Sequence, residues 1–169
     1  VHNFRNKLPV LIILAFMLGG WLISSCKKED QGAYVNVFLT AREWQLASQQ
    51  LSLYHGDTLK RTDTLNRECP KNQVFNFNSN GNCTYTNYSC TTQSVQGTWQ
   101  VTTQDSLLLR SNILLKDSLA GTSSRPFAHA QILNLGQNSL VLQSVVTDTL
   151  RRVPTTVLRR RITRYAFIH

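Results

Sequence analysis

Acidic side chains are scarce in this chain: nine in 169 residues, against 18 lysines and arginines, and none after Asp148. Glu29, Glu43, Glu68 and six aspartates are all that acid–base chemistry could draw on. No G-x-S-x-G elbow, phosphate-binding Walker loop, H-E-x-x-H pair or EF-hand run occurs, which removes the common hydrolase, nucleotide and metalloprotease signatures. Cys69, Cys83 and Cys90 are spaced by 14 and 7 residues rather than as C-x2-C, and His55, His129 and His169 form no ligand pair with them, so a zinc site is not expected. His129, entering an apolar run, reads as a structural residue rather than a base. These absences predict a protein that is not an enzyme and uses no metal or cofactor. Long apolar runs are missing too: the run Leu8 to Ile23, 16 residues without a charge, falls short of the roughly 20 residues a membrane span needs.

With 41% apolar and only 16% charged residues, the chain can bury one ordinary core and little more. Its basic excess is concentrated at the carboxyl end, where Arg151, Arg152, Arg159, Arg160, Arg161 and Arg164 fall within the last 19 residues. Guanidinium groups at that density suit phosphates or carboxylates, whether on nucleic acid, an anionic surface or an acidic partner.

The amino end chooses among these. Arg5 and Lys7 precede the apolar run, and "ISSC", Ile23 to Cys26, follows it, the layout of a secretory leader with small residues before a cut. Ile23, Ser24, Ser25 and Cys26 resemble the bacterial lipoprotein lipobox. That resemblance implies that residues 1–25 are a signal peptide, that Cys26 carries diacylglyceryl and acyl chains, and that the mature protein is held to a membrane by lipid. Two or three chains, at about 0.8 kcal/mol per buried CH₂, give stable attachment. Lys28, Glu29 and Asp30 resemble the surface-export signal of Bacteroidetes lipoproteins. Removing residues 1–25 leaves 16 bases and 9 acids, and an exported protein of this kind would not meet nucleic acid. Residues 26–36 read as a tether.

From residue 37 to 169 the rhythm is that of strands. "VFLTAREW", Val37 to Trp44, suggests one helical turn capped by Thr40. Strands are then expected at Trp44 to Tyr54, Val74 to Asn78, Cys83 to Tyr88, Val95 to Thr102, Ser106 to Arg110, Ala130 to Leu135, Ser139 to Val146 and Val157 to Ile168. Asn80-Gly81 predicts a two-residue type I′ hairpin. About eight antiparallel strands in up-and-down order, with no long helical pattern, predict an all-β closed barrel, because closure leaves no unpaired edge.

Trp44 with Leu46, "VFNFNSNG", "GTWQV" and the closing "YAF" make residues 37–169 resemble the lipocalin-like domains of Bacteroidetes lipoproteins. Arg42 stands where lipocalins carry the first-strand glycine of Gly-x-Trp; Gly97-Thr98-Trp99 satisfies it on a middle strand. The resemblance implies a lipid-anchored outer-membrane protein, on the periplasmic or the surface side, whose barrel binds a small apolar ligand. Trp44, Phe75, Phe77 and Trp99 are the candidate lining residues. The alternative is a structural or assembly lipoprotein with a filled barrel, working through its outer surface and basic last strand.

With Cys26 assigned to lipid, three cysteines remain, and one disulfide plus one free thiol is the simplest outcome. Cys69 and Cys90 flank the Val74 to Tyr88 hairpin, and the resemblance implies the same pair. Five of the six aspartates occur as Asp-(Ser/Thr)-Leu. The motif suits a turn-to-strand start. It also resembles the acceptor for protein O-glycosylation in Bacteroides-type bacteria, which would make Thr58, Thr64, Ser106, Ser118 and Thr149 glycan sites. In the last strand Arg159 and Arg161 alternate onto the face of Tyr165 and Phe167, while Arg160 and Arg164 share the other with Ile162 and Ile168. Charges on both faces predict that its start projects beyond the barrel, where it could meet an acidic envelope surface.

Overall fold

Eight antiparallel strands close into a barrel in the computed structural model, which describes residues 31–102, 107–117, 121–151 and 156–169. The leader, Cys26, the tether up to residue 30, Ser106 and Ser118 lie outside the described residues. The elements are helix α1 (Gln31–Thr40) and strands β1 (Trp44–His55), β2 (Thr58–Thr64), β3 (Val74–Phe77), β4 (Asn82–Thr86), β5 (Ser94–Thr102), β6 (Leu108–Ser111), β7 (Leu115–Lys116), β8 (Ser123–Ser124), β9 (Ala130–Leu135), β10 (Ser139–Arg151) and β11 (Val157–Ile168). Strand order round the barrel is β1-β3-β4-β5-β6-β9-β10-β11, and β11 pairs back onto β1. Among the described residues, the core side chains and pairings lie between Gly32 and His169, so this unit holds a core of its own.

Alternation makes the barrel. Trp44, Leu46, Phe75, Phe77, Cys83, Tyr85, Trp99, Leu109, Ile132, Leu140, Leu142, Tyr165 and Phe167 point inward and are buried, and the residues between them face out. Helix α1 begins at Gln31, six residues before the predicted start of structure, and buries Val35 and Leu39 one turn apart on one face. Thr40 does not open a helix. It ends one, its hydroxyl donating to the Asn36 carbonyl at 2.8 Å. Beside it, the Trp44 indole N–H donates to the Leu39 carbonyl at 3.0 Å, meeting one of the acceptors that a helix end leaves open. His169 stacks on Trp44 with ring centroids 3.8 Å apart and donates from Nδ1 to the Glu43 carbonyl at 2.8 Å.

The Asn80-Gly81 hairpin is present with a different turn. Asn78 N–H donates to the Asn82 carbonyl, the loop has three residues, and only Gly81 has positive φ, at +83°. That is a turn followed by a glycine bulge rather than the two-residue type I′ form. The glycine of "GTW" has another reason to be there. A Cβ on Gly97 would stand 2.6 Å from Asn112 Oδ1, which accepts from Thr98 N–H at 2.7 Å, so a larger residue would push this crossing segment off β5.

A bulge in β1 decides what lies at the far end. Register shifts between Leu46 and Ser48, leaving Ala47 unpaired, so the inward set passes from Trp44 and Leu46 to Gln49, Leu51, Leu53 and His55. The side chain of Asn66 serves the open backbone there, accepting from Gln49 N–H at 2.9 Å and donating to the Ala47 carbonyl. β3 pairs with β1 only at Trp44 and Gln45, and β9 leaves β10 at Ser144. Beyond those points β2-β1-β11-β10 continue as an open four-stranded sheet. The last strand therefore does project beyond the barrel. β2 was not expected, and β10 runs five residues further than predicted, because both serve this extension rather than the core.

Candidate functional site

The barrel interior is occupied by its own aromatic rings. The Phe75 ring lies 4.0 Å from Phe77, 5.1 Å from Tyr85, 4.9 Å from Phe127 and 6.2 Å from Phe167, centroid to centroid. Phe77 meets Trp99 edge-on at 5.3 Å, and the Trp99 indole donates to the Asn78 carbonyl at 3.0 Å. Trp44, Phe75, Phe77 and Trp99 all face inward, and they fill the core. Phe127 enters from the segment between β6 and β9, which folds over the end away from α1 and also buries Ile113 and Leu115.

That end remains partly open. Gln49, Leu51, Leu65, Tyr88, Asp117, Val146, Arg161, Thr163 and Tyr165 surround a cavity of about 310 Å³, between the covering segment and the projecting sheet. Its base is polar: Gln49 is buried, and the hydroxyls of Tyr88 and Tyr165 lie 3.4 Å apart. Burial pushes both phenols up from their usual range, well up for Tyr165, so they remain protonated donors at neutral pH. Leu51, Leu65 and Val146 form apolar walls. Larger crevices of about 390, 450 and 530 Å³ lie between α1 and β5, against Arg110 with Arg125, and beside the β3–β4 turn. Ser111 is buried in the second, but none of the three has a base of paired buried phenols, so the mouth is the better candidate for a specific small ligand.

Cross-strand pairing sets the rim. On the face that continues the barrel interior, Arg61, Leu53, Arg161 and Val146 form one row, and Thr58, His55, Arg159 and Asp148 the next. Arg159 grips Asp148 through both Nε (2.8 Å) and Nη2, while Arg161 stands 3.5 Å away. The Arg159 hydrogen bond and charge hold the Asp148 carboxyl below its ordinary range.

The other wall is a strained turn. Asn87, Ser89 and Cys90 all have positive φ, at 57°, 49° and 61°, without a glycine among them. Such a conformation costs about 1–3 kcal/mol per residue and persists only where surroundings impose it. Here Asn87 Nδ2 donates to the Asn72 carbonyl, Ser89 N–H donates to Oε1 of buried Gln73, and Gln93 Nε2 donates to the Tyr88 and Lys116 carbonyls. The Cys69–Cys90 disulfide, with Cα atoms 4.9 Å apart, ties the turn to the β2–β3 loop. Cys83 is the free thiol among the described residues. It is buried, 3.4 Å from Ser111 Oγ, and burial pushes its pKa up.

No protein-family model, no curated protein and no solved structure matches this chain. Its reading rests on its own residues. Thr58 and Thr149 are exposed and Thr64 half-buried, and all three stand on the projecting sheet, whereas Cys26, Ser106 and Ser118 fall outside the described residues. Tyr88 and Gln49 were not singled out by sequence, and Asp117 only as the first residue of an Asp-Ser-Leu motif. The alternation of Gln49, Leu51 and Leu53 was the available signal, and the bulge at Ala47 hid which face it served.

Proposed function

We propose that this is a lipid-anchored lipoprotein of the bacterial outer envelope, without enzymatic activity, whose lipocalin-like barrel displays a binding pocket for a small apolar ligand at its mouth. The lipobox resemblance at Cys26 supports the anchor. The observation that carries the binding reading is the contrast between an interior packed with Phe75, Tyr85, Phe127 and Phe167 and the open cavity above Gln49, Tyr88 and Tyr165. A ligand seated there would place apolar surface on Leu51, Leu65 and Val146 and offer an acceptor to the phenols.

Two measurements test this. The Cys26→Ser variant, expressed in a lipoprotein-processing host, is expected in the soluble fraction, with the wild type in the membrane fraction; equal partition would remove the anchor. The intact mass of wild type from its native host then reports acyl chains and any glycan on the Asp-(Ser/Thr)-Leu sites. For the pocket, the neutral dye Nile red should saturate a single site, and Val146→Trp, which fills the cavity from β10, should weaken it by about tenfold or more. An unchanged affinity in that variant would place the dye elsewhere and overturn the pocket.

A further inference from the structure

The outer face of the projecting sheet has a different composition from the face that continues the barrel interior. Its cross-strand rows are Leu59, Tyr54, Arg160 and Thr147; Thr62, Ser52, Ile162 and Val145; and Thr64, Gln50, Arg164 and Gln143, with Leu158 beside Thr149 at the tip. None of these residues is acidic. Each arginine on the inner face has an aspartate within salt-bridge distance: Asp63 for Arg61, and Asp148 for Arg159 and Arg161. The two outer arginines have neutral companions. Arg160 lies over the Tyr54 ring at 5.0 Å, and Arg164 donates to Gln143 Oε1 at 3.0 Å. At the margin the acid is Asp57, in the β1–β2 turn.

Aliphatic side chains stand among these charges. Leu59 is 50% exposed, Val145 48% and Leu158 47%, and they occupy three different strands of a single face. Isolated exposed leucines need no explanation, but a face that joins them to arginines without acids has a specific chemistry. The chemistry it fits is an interface where anionic groups overlie hydrocarbon.

We propose that this outer face docks on an anionic lipid surface, Arg160 and Arg164 meeting headgroup phosphates and Leu59, Val145 and Leu158 entering the boundary beneath them. Charge complementarity carries the choice of occupant. An anionic leaflet attracts basic groups placed within a Debye length, and aliphatic side chains beside them add buried area. Docking by this face leaves the mouth pocket, on the opposite face of the same four strands, unobstructed. The inference goes beyond the ligand-binding reading and stands without it.

The test uses the self-contained barrel unit, residues 31–169, which lacks Cys26. Sedimentation with vesicles of mixed phosphatidylcholine and phosphatidylglycerol should carry the protein down at low salt, and binding should fall as salt rises. Pure phosphatidylcholine vesicles should leave it in solution. Arg164→Gln, which removes the side chain bonded to Gln143, should weaken binding by about fivefold, and adding Arg160→Gln should bring the loss to more than about tenfold. Arg61→Gln, on the inner face, should leave binding as it was. Equal binding to both vesicle types would overturn the proposal, as would Arg164→Gln matching wild type. Retention by an acidic polysaccharide with no binding to anionic vesicles would also overturn it, and would assign the face to that polymer.

Discussion

Truncating Phe127 to alanine should destabilise the barrel by about 3–5 kcal/mol, the range for removing a large aromatic from a closed core. The ring lies 4.9 Å from Phe75 and from Tyr165, stacks on Tyr85 at 5.6 Å and reaches Phe167 at 6.5 Å, with no exposed surface. It also fastens the covering segment, where the Phe127 carbonyl accepts from Ser111 N–H at 2.8 Å. Loss of the ring would leave a void beneath Tyr165, continuous with the mouth cavity. Two readouts should therefore move together: the urea midpoint falls, and Nile red affinity rises as the pocket deepens. Phe127→Leu should retain more than half of the lost stability, since it restores most of the volume. A cost below about 1 kcal/mol for alanine would mean that the interior relaxes to fill the gap, and that the aromatic cluster is not the rigid floor described above.

Replacing Cys69 and Cys90 with serine is the second large effect. The bond spans 21 residues, and releasing a loop of that length returns about 3 kcal/mol of entropy to the unfolded chain. The native state loses as well. Asn87, Ser89 and Cys90 are held at positive φ by the bond and by Gln73, Asn72 and Gln93, and without the bond that turn can relax. Because Tyr88 and Ser89 form one wall of the mouth, the double variant should combine a stability loss near 3 kcal/mol with weaker Nile red binding. The wild type under reducing conditions should behave alike. If stability falls while dye affinity holds, the hydrogen bonds suffice to keep the turn, and the disulfide acts on the unfolded state alone.

The barrel was readable because its strands each carry one apolar face, and a period of two is a strong signal when the apolar members are Trp, Phe, Tyr and Leu. The bounds of β9 and β11 follow directly from it. β2 was not readable, since "TLKRTDT" has no face that enters a core and is exposed or half-exposed throughout. The same holds for the far half of β10, where Asp148 suggested a turn but lies in mid-strand because Arg159 faces it across the ladder. Gln31 to Ala33 read as a tether because their polarity says nothing of the buried Val35 and Leu39 that follow. The mouth was harder still. Gln49, Tyr88, Asp117 and Tyr165 come from four separated stretches, and only barrel closure brings them together.

The unpaired Ala47 bears on how such a sequence can change by inheritance. Loss of a single codon there would straighten the pairing in β1 without exchanging its faces, because Ser48 already stands opposite Ala166 and Gln49 opposite Tyr165. A second loss would shift the strand by one residue and turn Leu51 and Leu53 outward. Insertions at the Gly56-Asp57 tip would lengthen a loop without disturbing any inward side chain. One end of the strand thus holds a single spare residue, and the other is free to drift.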